Sequence, residues 1–460
     1  MQRKKKRSPR FFIALYIGKI IQMIIKLIFK DRGTHFPGKY AIKICPDFLS
    51  RIGHPEIVIA VTGTNGKTSV SNFINNILIK NGYQTINNDK GSNISPGIAS
   101  SLIETANLIG NVKADIAILE VDERASGFIY DHISPTYLVC TNLFRDSIKR
   151  NGHSEFILTK IKSSVPNTTT LILNADDLIS CQIGNENHQK IYFGVNKLDI
   201  TDNYDNIVQD IMVCPVCKHR LEFKYRHYHH IGQAYCKKCD FKSPIPNYLG
   251  LKVNFKKNIL TIRDGKRNYN YKLISDSVFN IYNMVTVIAT LRTLGLTHSQ
   301  IKEGFNELKL KKDRLDKIIY QNLEVITMLS KDQNPVSCSR MFDYVASQPG
   351  NKIVVLLVTD SLDKVHGSED ISWLYDTDFE YLKDPEIKQI IVGGARSYDV
   401  LLRLQLAGID KNMVKISTNY EEIEDMLNLT AIDKVYILYE LYAYPLAFKL
   451  KQKIKERVGD

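Results

Sequence analysis

The stretch VTGTNGKTS, residues 61–69, sets two glycines, a lysine and four small hydroxyl residues within nine positions. Such residues in this order suit a phosphate. Small side chains let backbone N–H groups close around phosphate oxygens, Lys67 reaches the terminal phosphates, and the Thr68 hydroxyl can sit on Mg²⁺. Thr64, Asn65, Gly66 and Ser69 complete the loop. The pattern is not the common GxxxxGK[ST], since only two residues separate Gly63 from Gly66. An ordinary turn is the plain alternative; against it stand a strand-like run before the loop and a helix-like run after it.

Carboxylates come next. LEVDE supplies Glu120, Asp122 and Glu123, and TNLFRDS supplies Asp146, each where a strand is expected to end. Open α/β sheets bind ligands beyond the carboxyl ends of their strands, so these acids are expected to face the phosphate loop and to hold Mg²⁺. For any single acid, a solvated loop position is the competing reading.

A third cluster is CPVCKHRLEFKYRHYHHIGQAYCKKC, residues 214–239. Cys214 and Cys217, then Cys236 and Cys239, enclose eighteen residues, within the window of a tetrahedral zinc site. Four thiolates would fill the coordination sphere and leave no position for substrate, so the expected Zn²⁺ is structural. Unligated thiols are the alternative. His219, His227, His229 and His230 are assigned surface or packing roles. Lys218, Arg220, Lys224 and Arg226 alternate with apolar neighbours, as a solvated strand face would, yet a basic aromatic ribbon also suits nucleic acid. The ribbon alone leaves that open.

The elements that must position these groups follow an α/β rhythm. PEIVIAVTG, YQTINN, ADIAILEVDE, TYLVCTNL and TTTLILNA read as strands, and SVSNFINNILIKNG as a helix ending at Gly82. Continuous apolar strands separated by helices imply a parallel sheet covered on both faces. Short alternating strands follow at 251–275 and two helices at 279–308. From about residue 320, LEVITML, NKIVVLLVTD, KQIIVGG, VKIST and KVYILYE begin a second α/β rhythm. At 460 residues the chain is expected to hold about three domains.

The excess of 62 Lys and Arg over 49 Asp and Glu is concentrated: six cations lie in MQRKKKRSPR, and the remaining body is only mildly basic. A basic tail implies a local contact rather than a nucleic-acid-binding surface. After it, FFIALYIGKIIQMIIKLIF places Lys19, Gln22, Lys26 and Lys30 on one helical stripe. Three readings compete: a helix lying on an anionic membrane, a helix packed on protein, and a membrane span. No small-residue cleavage site follows. The remaining cysteines, Cys45, Cys140, Cys181 and Cys338, are scattered, and the usage fits a cytosolic protein.

GTNGKTS, NNDKGSN (87–93), LEVDE, TNLFRD, LNADD (173–177) and FNIYN (279–283) resemble the Mur ligase family in order and spacing. The four-cysteine insert and SWLYDTDFE are similar to one branch, the ligase-like subunits of lipid II isoglutaminyl synthases. The resemblance implies an α/β fold with a central P-loop domain, a parallel sheet, a zinc-ribbon insert and a Rossmann-like C-terminal domain. The domains would be 1–50, a basic tail and amphipathic helix; 51–310, the ATP-binding domain with the insert at 205–250; and 311–460, contacting a partner. It further implies that Lys67 and Thr68 contact ATP phosphates and Mg²⁺, that Glu120 is a magnesium ligand, that Asn280 meets the adenine and that Arg314 reaches the phosphates. The expected reaction is ATP-dependent amidation of the D-glutamate α-carboxylate of the lipid II stem peptide through an acyl phosphate. Ammonia would come from a glutaminase partner whose catalytic triad Asp370 completes; helix capping is the other role open to that aspartate. No nucleic-acid partner is expected, and the location implied is cytoplasmic, at the inner face of the membrane. Two alternatives are an amino-acid-adding Mur or folylpolyglutamate ligase and a zinc-ribbon nucleic-acid ATPase. The sequence departs from the family where VSCSR follows Asn334 and Pro335, at Glu369, and in KRNGHSE at 149–155.

Overall fold

The computed structural model describes residues 5–28, 35–89, 92–145, 153–198, 206–308, 315–330, 334–358, 371–440 and 443–459. It divides into two compact units, 1–144 with 153–204 and 209–309, and 145–152 with 205–208 and 310–460.

The first unit opens with helices α1 (Pro9–Ile28) and α2 (Phe36–Ile44). There follow β1 (Ile57–Thr62), α3 (Lys67–Lys80), β2 (Thr85–Asn87), α4 (Ser95–Thr105), β3 (Ile116–Glu120), α5 (Ser126–Tyr130), β4 (Tyr137–Cys140), α6 (Ser154–Ser164), β5 (Thr170–Asn174) and β6 (Lys190–Val195). A hairpin of β7 (Leu221–Tyr228) and β8 (Ile231–Cys236) precedes β9 (Tyr248–Asn254), β10 (Ile259–Asp264), β11 (Arg267–Lys272), α7 (Val278–Thr293) and α8 (His298–Glu307). Nine strands form one sheet in the order β11-β10-β9-β6-β5-β4-β1-β3-β2. From β2 to β9 neighbouring strands run parallel, and β10 and β11 close the edge as an antiparallel meander.

Five of the six β1 residues are buried, because helices cover both faces and polar alternation has no solvent side to serve. Helix α7 is buried along Ile281–Leu291 and lies against α3, β6 and β9, which explains why its sequence is apolar almost all round. The chain leaves β1 toward β2 and β3 on one side, then crosses to β4 on the other. This reversal is the switch point at which open α/β sheets bind ligands. The hairpin is inserted between β6 and β9, which still pair in parallel, so the insert leaves the sheet unbroken.

The second unit contains β12 (Leu315–Tyr320), β13 (Leu323–Leu329), α9 (Pro335–Ser347), β14 (Lys352–Leu357), α10 (Trp373–Asp376), β15 (Ile387–Gly393), α11 (Ser397–Leu406), β16 (Val414–Ser417), α12 (Ile423–Met426), β17 (Lys434–Tyr439) and α13 (Tyr444–Gly459). Its sheet order is β12-β13-β17-β14-β15-β16, with only the β12–β13 pair antiparallel. Period-two alternation divides the strands between two cores: Val354, Leu356 and Leu438 pack with Phe342 and Leu404, while Val355, Leu357 and Ile437 pack with Ala447 and Ile454. Asn334 caps α9 by accepting from Ser337 N at 2.8 Å, and Pro335 occupies the first turn.

Candidate functional site

The phosphate loop is pinned before any ligand arrives. Gly63 and Gly66 adopt φ of +125° and +89°, and a side chain at either would run into Thr141 and Asn142 or into Asn283. The tail of β4 holds the loop from beneath. Thr64 N donates to Asn142 O at 2.8 Å, Asn65 N to Asn142 Oδ1 at 3.0 Å, and Thr141 Oγ1 to Asn65 O at 2.6 Å. Thr64 Oγ1 accepts from Phe144 N at 2.9 Å. Helix α3 then begins at Lys67 with no side chain capping it, so its first-turn N–H groups and the positive end of its dipole remain available to an anion. Thr68 and Ser69 are half-buried on that first turn.

Lys67 is buried and its ammonium donates to Glu123 Oε1 at 2.7 Å and to the Gly63 carbonyl. Burial alone would favour the neutral amine. The Glu123 carboxylate, with Glu120 and Asp122 beyond it, instead holds the ammonium above the usual lysine range. Glu123 Oε1 also accepts from Gly63 N at 3.2 Å, so one acid ties lysine and loop together. Glu120 ends β3, its backbone N–H donating to Asn88 Oδ1 at 2.8 Å and its Oε1 accepting from Asn93 Nδ2 at 3.4 Å. Those two asparagines come from the NNDKGSN stretch. Asp122 Oδ1 accepts from Arg124 N at 3.0 Å, the local turn-capping role open to any loop acid. Lysine, hydroxyls and half-buried carboxylate thus gather at the switch point, a donor set suited to a nucleotide triphosphate and its Mg²⁺.

Asn280 stands in the first turn of α7, and its Oδ1 accepts from Asn283 Nδ2 at 3.4 Å. Asn283 is the residue that closes over Gly66. Asp146, Arg314 and Asp370 lie outside the described residues.

The Mur ligase middle domain family matches residues 61–231, and the MurT ligase C-terminal family matches 331–443. The chain is 30% identical over 404 residues to the lipid II isoglutaminyl synthase (glutamine-hydrolyzing) subunit MurT of Staphylococcus aureus (strain COL), covering 87% of this chain and 89% of that protein. The chain belongs to the MurT family. The subunit of the same name from Streptococcus pneumoniae (strain ATCC BAA-255 / R6) is 28% identical over 433 residues, 93% of each chain. In fold, the pseudomurein peptide ligase type C from Methanothermus fervidus is similar with a TM-score of 0.67 at 21% identity, covering 89% of this chain and 81% of that one. Membership of the MurT family makes the chain a ligase-type enzyme of Mur ligase fold.

In this MurT-family chain the four cysteines of the insert come together. Their Sγ atoms all lie within 4.8 Å of one another, with Cys214 and Cys236 buried. Four soft ligands at that spacing could hold one tetrahedral metal ion. The histidines of the hairpin point elsewhere: His227, His229 and His230 are buried against the domain that carries the phosphate loop. His227 lies between Tyr282 Oη (2.7 Å) and Asn196 O (3.1 Å), and Tyr282 Oη donates to Asp176 Oδ2 at 2.8 Å. His230 Nε2 meets Asp177 Oδ1 at 3.2 Å, while Asp177 Oδ2 accepts from Leu143 N at 2.7 Å, one residue before the Phe144 that holds Thr64. Burial pushes Asp176 up to about 6 against the pull of its bonds from Val195 N and Tyr282, and pushes His227 down to about 4.

Sequence reasoning did not foresee the roles of four side chains. It singled out Glu120 from LEVDE and gave Glu123 no separate role, because spacing cannot tell which acid a turn folds back onto the lysine. Asn142 and the Asp176–Asp177 pair lay within TNLFRD and LNADD, motifs quoted without a role for these side chains. In the second unit SWLYDTDFE is tied through its polar groups to residues 206–207 and to α11. Asp378 accepts from Ile207 N at 2.7 Å and Asn206 Nδ2 at 3.0 Å, and Arg403 binds Thr377 O at 2.8 Å and Glu380 Oε2 at 2.9 Å.

Proposed function

We propose that this chain is the ATP-using subunit of a lipid II amidating enzyme. A D-glutamate α-carboxylate oxygen in the stem peptide attacks the terminal phosphorus of ATP, releasing ADP and leaving an acyl phosphate. Ammonia then attacks the acyl carbon, phosphate departs, and D-isoglutamine remains after proton loss. One conjunction carries the reading: a phosphate loop whose lysine sits among acids at the sheet's switch point, in a chain that MurT subunits match over nearly its whole length.

Lys67 and the first turn of α3 would bind the β- and γ-phosphates, with Thr64, Asn65, Gly66 and Ser69 lining the loop, Asn280 near the base and Arg314 reaching across the phosphates. Thr68 and Glu120 would hold Mg²⁺, which supplies positive charge to the transferring phosphoryl oxygens. Moving from Glu123 to a phosphate would keep Lys67 paired in both states, with Glu123 Oε1 still accepting from Gly63 N. Cys214, Cys217, Cys236 and Cys239 would hold a structural Zn²⁺ that fixes the hairpin. The word subunit in the relatives' names, and their glutamine-hydrolyzing activity, support a glutaminase partner. Asp370 would orient that partner's catalytic histidine.

The alternatives fit less well. Amino-acid-adding ligases would not explain the MurT C-terminal match at 331–443. A nucleic-acid reader would display its aromatics for stacking, whereas Tyr228 and three hairpin histidines are buried. The test is Asp370→Asn. Glutamine-driven amidation should disappear while ammonia-driven amidation persists; loss of both reactions, or of neither, rejects the assignment.

A further inference from the structure

Helix α1 packs one largely apolar face on the protein and leaves a second apolar face exposed, with Lys19 and Lys26 along the border between them. Phe11, Ala14, Leu15, Gly18 and Gln22 are its buried positions. Lys19 Nζ donates to the carbonyls of Ile103, at 3.0 Å, and Ala106 at the end of α4, where a cation also meets the negative end of the helix dipole. Lys26 pairs with Glu104 at 2.8 Å, and Lys30 lies outside the described residues. Ile13, Tyr16, Ile20, Met23, Ile24 and Leu27 are exposed, Leu27 by 74%. At about 100° per residue, these two stripes are centred about 180° apart. A helix facing water is arranged the other way. On the neighbouring α2, Phe36 and Tyr40 add further exposed apolar surface.

Charge accompanies this face. Residues 1–30 hold nine Lys and Arg and no acid, against a net +13 for the whole chain. Lys5, Lys6, Arg10, Lys39 and Lys43 are exposed on the lead-in segment and the two helices.

We infer that α1 and α2 dock the protein on an anionic bilayer, with α1 in the plane of the surface, its outer stripe in the acyl boundary and its flanking cations among lipid phosphates. A second copy would set the exposed cations Lys6, Arg10, Lys39 and Lys43 against their own counterparts. A transmembrane course would detach Lys19 and Lys26 and pull Phe11, Ala14 and Leu15 out of a core shared with Phe48, Ile98 and Leu102. The inference goes beyond the amidation reading and does not rest on it, since membrane docking needs neither ATP nor lipid II.

Flotation of the purified full chain with vesicles of phosphatidylcholine, alone or mixed with phosphatidylglycerol, tests it. Wild type should float with the mixed vesicles, less so in high salt, and should be released by alkaline carbonate. The exposed pair Ile20→Glu with Leu27→Glu should lower vesicle affinity by about a hundredfold or more, and Met23→Gln with Leu27→Gln should weaken it too, both with unchanged melting. Absence of wild-type flotation, equal flotation of the variants, or resistance to carbonate would each overturn the inference. So would self-association of wild type through this face without vesicle binding.

Discussion

Replacing Glu123 with Gln isolates the one buried ion pair at the phosphate loop. Lys67 Nζ and Glu123 Oε1 are 2.7 Å apart, and their side chains are 8% and 2% exposed. At an effective dielectric of about 20, two unit charges at this separation attract by roughly 6 kcal/mol before desolvation is counted. Removing one partner of a buried pair costs about 3–5 kcal/mol, because the other charge is left stranded. Glutamine keeps the shape and can still accept from Gly63 N, so the lower end, about 3 kcal/mol, is expected. For a unit of this size that corresponds to a fall of roughly 6–12 °C in Tm. ADP with Mg²⁺ would return negative charge to Lys67, so it should stabilise Glu123→Gln more than it stabilises wild type. The assay is thermal melting with and without the nucleotide, with Lys67→Met and the double variant completing a cycle. The double variant should be less destabilised than the sum of the singles. A Glu123→Gln protein that melts with wild type, or that gains no extra stability from nucleotide, would refute the caged-lysine account.

Two more predictions follow. Cys214→Ser should remove bound zinc, measured by elemental analysis, and destabilise the first unit while leaving the identity of any residual product unchanged; a stable variant with different chemistry would contradict a structural site. Acid stability should depend on Asp176 and His227 in opposite senses. Asp176 binds its proton more tightly folded than unfolded, so its contribution is present near pH 4 and is lost as pH rises through about 6. His227 resists protonation when folded, so its contribution is present above its ordinary 6.5 and is lost as pH falls toward about 4. The two offset each other in wild type. Asp176→Asn should therefore lose stability more steeply than wild type between pH 6.5 and 4.5 in urea titrations; parallel curves would exclude this pairing.

Much of the scaffold was legible because it follows from burial. Strands such as IVIAVT and KIVVLL are continuously apolar where helices cover both sheet faces, and VTGTNGKTS marks the turn between β1 and α3. β6 and β12 were not singled out: KIYFGV is partly exposed at its start, and LDKIIY is an edge strand with charged residues. The pairing of Glu123 with Lys67 depends on a turn after β3, which local pattern does not encode. Lys19, Gln22 and Lys26 were placed on one stripe from spacing, but spacing says which residues share a face and not which face the protein covers. The hairpin was read as a metal site by ligand count; its attachment through His227 and His230 to Asp176 and Asp177 is a contact between distant segments, visible only once the chain is folded.

The most direct measurement of the central claim is the mass and fragmentation of lipid II after incubation with the purified full chain, ATP, Mg²⁺ and ammonium. The account predicts conversion of the D-glutamate α-carboxylate to an amide with matching ADP release, both lost in Lys67→Ala. Addition of an amino acid, or ATP hydrolysis stimulated by nucleic acid and not by lipid II, would contradict it.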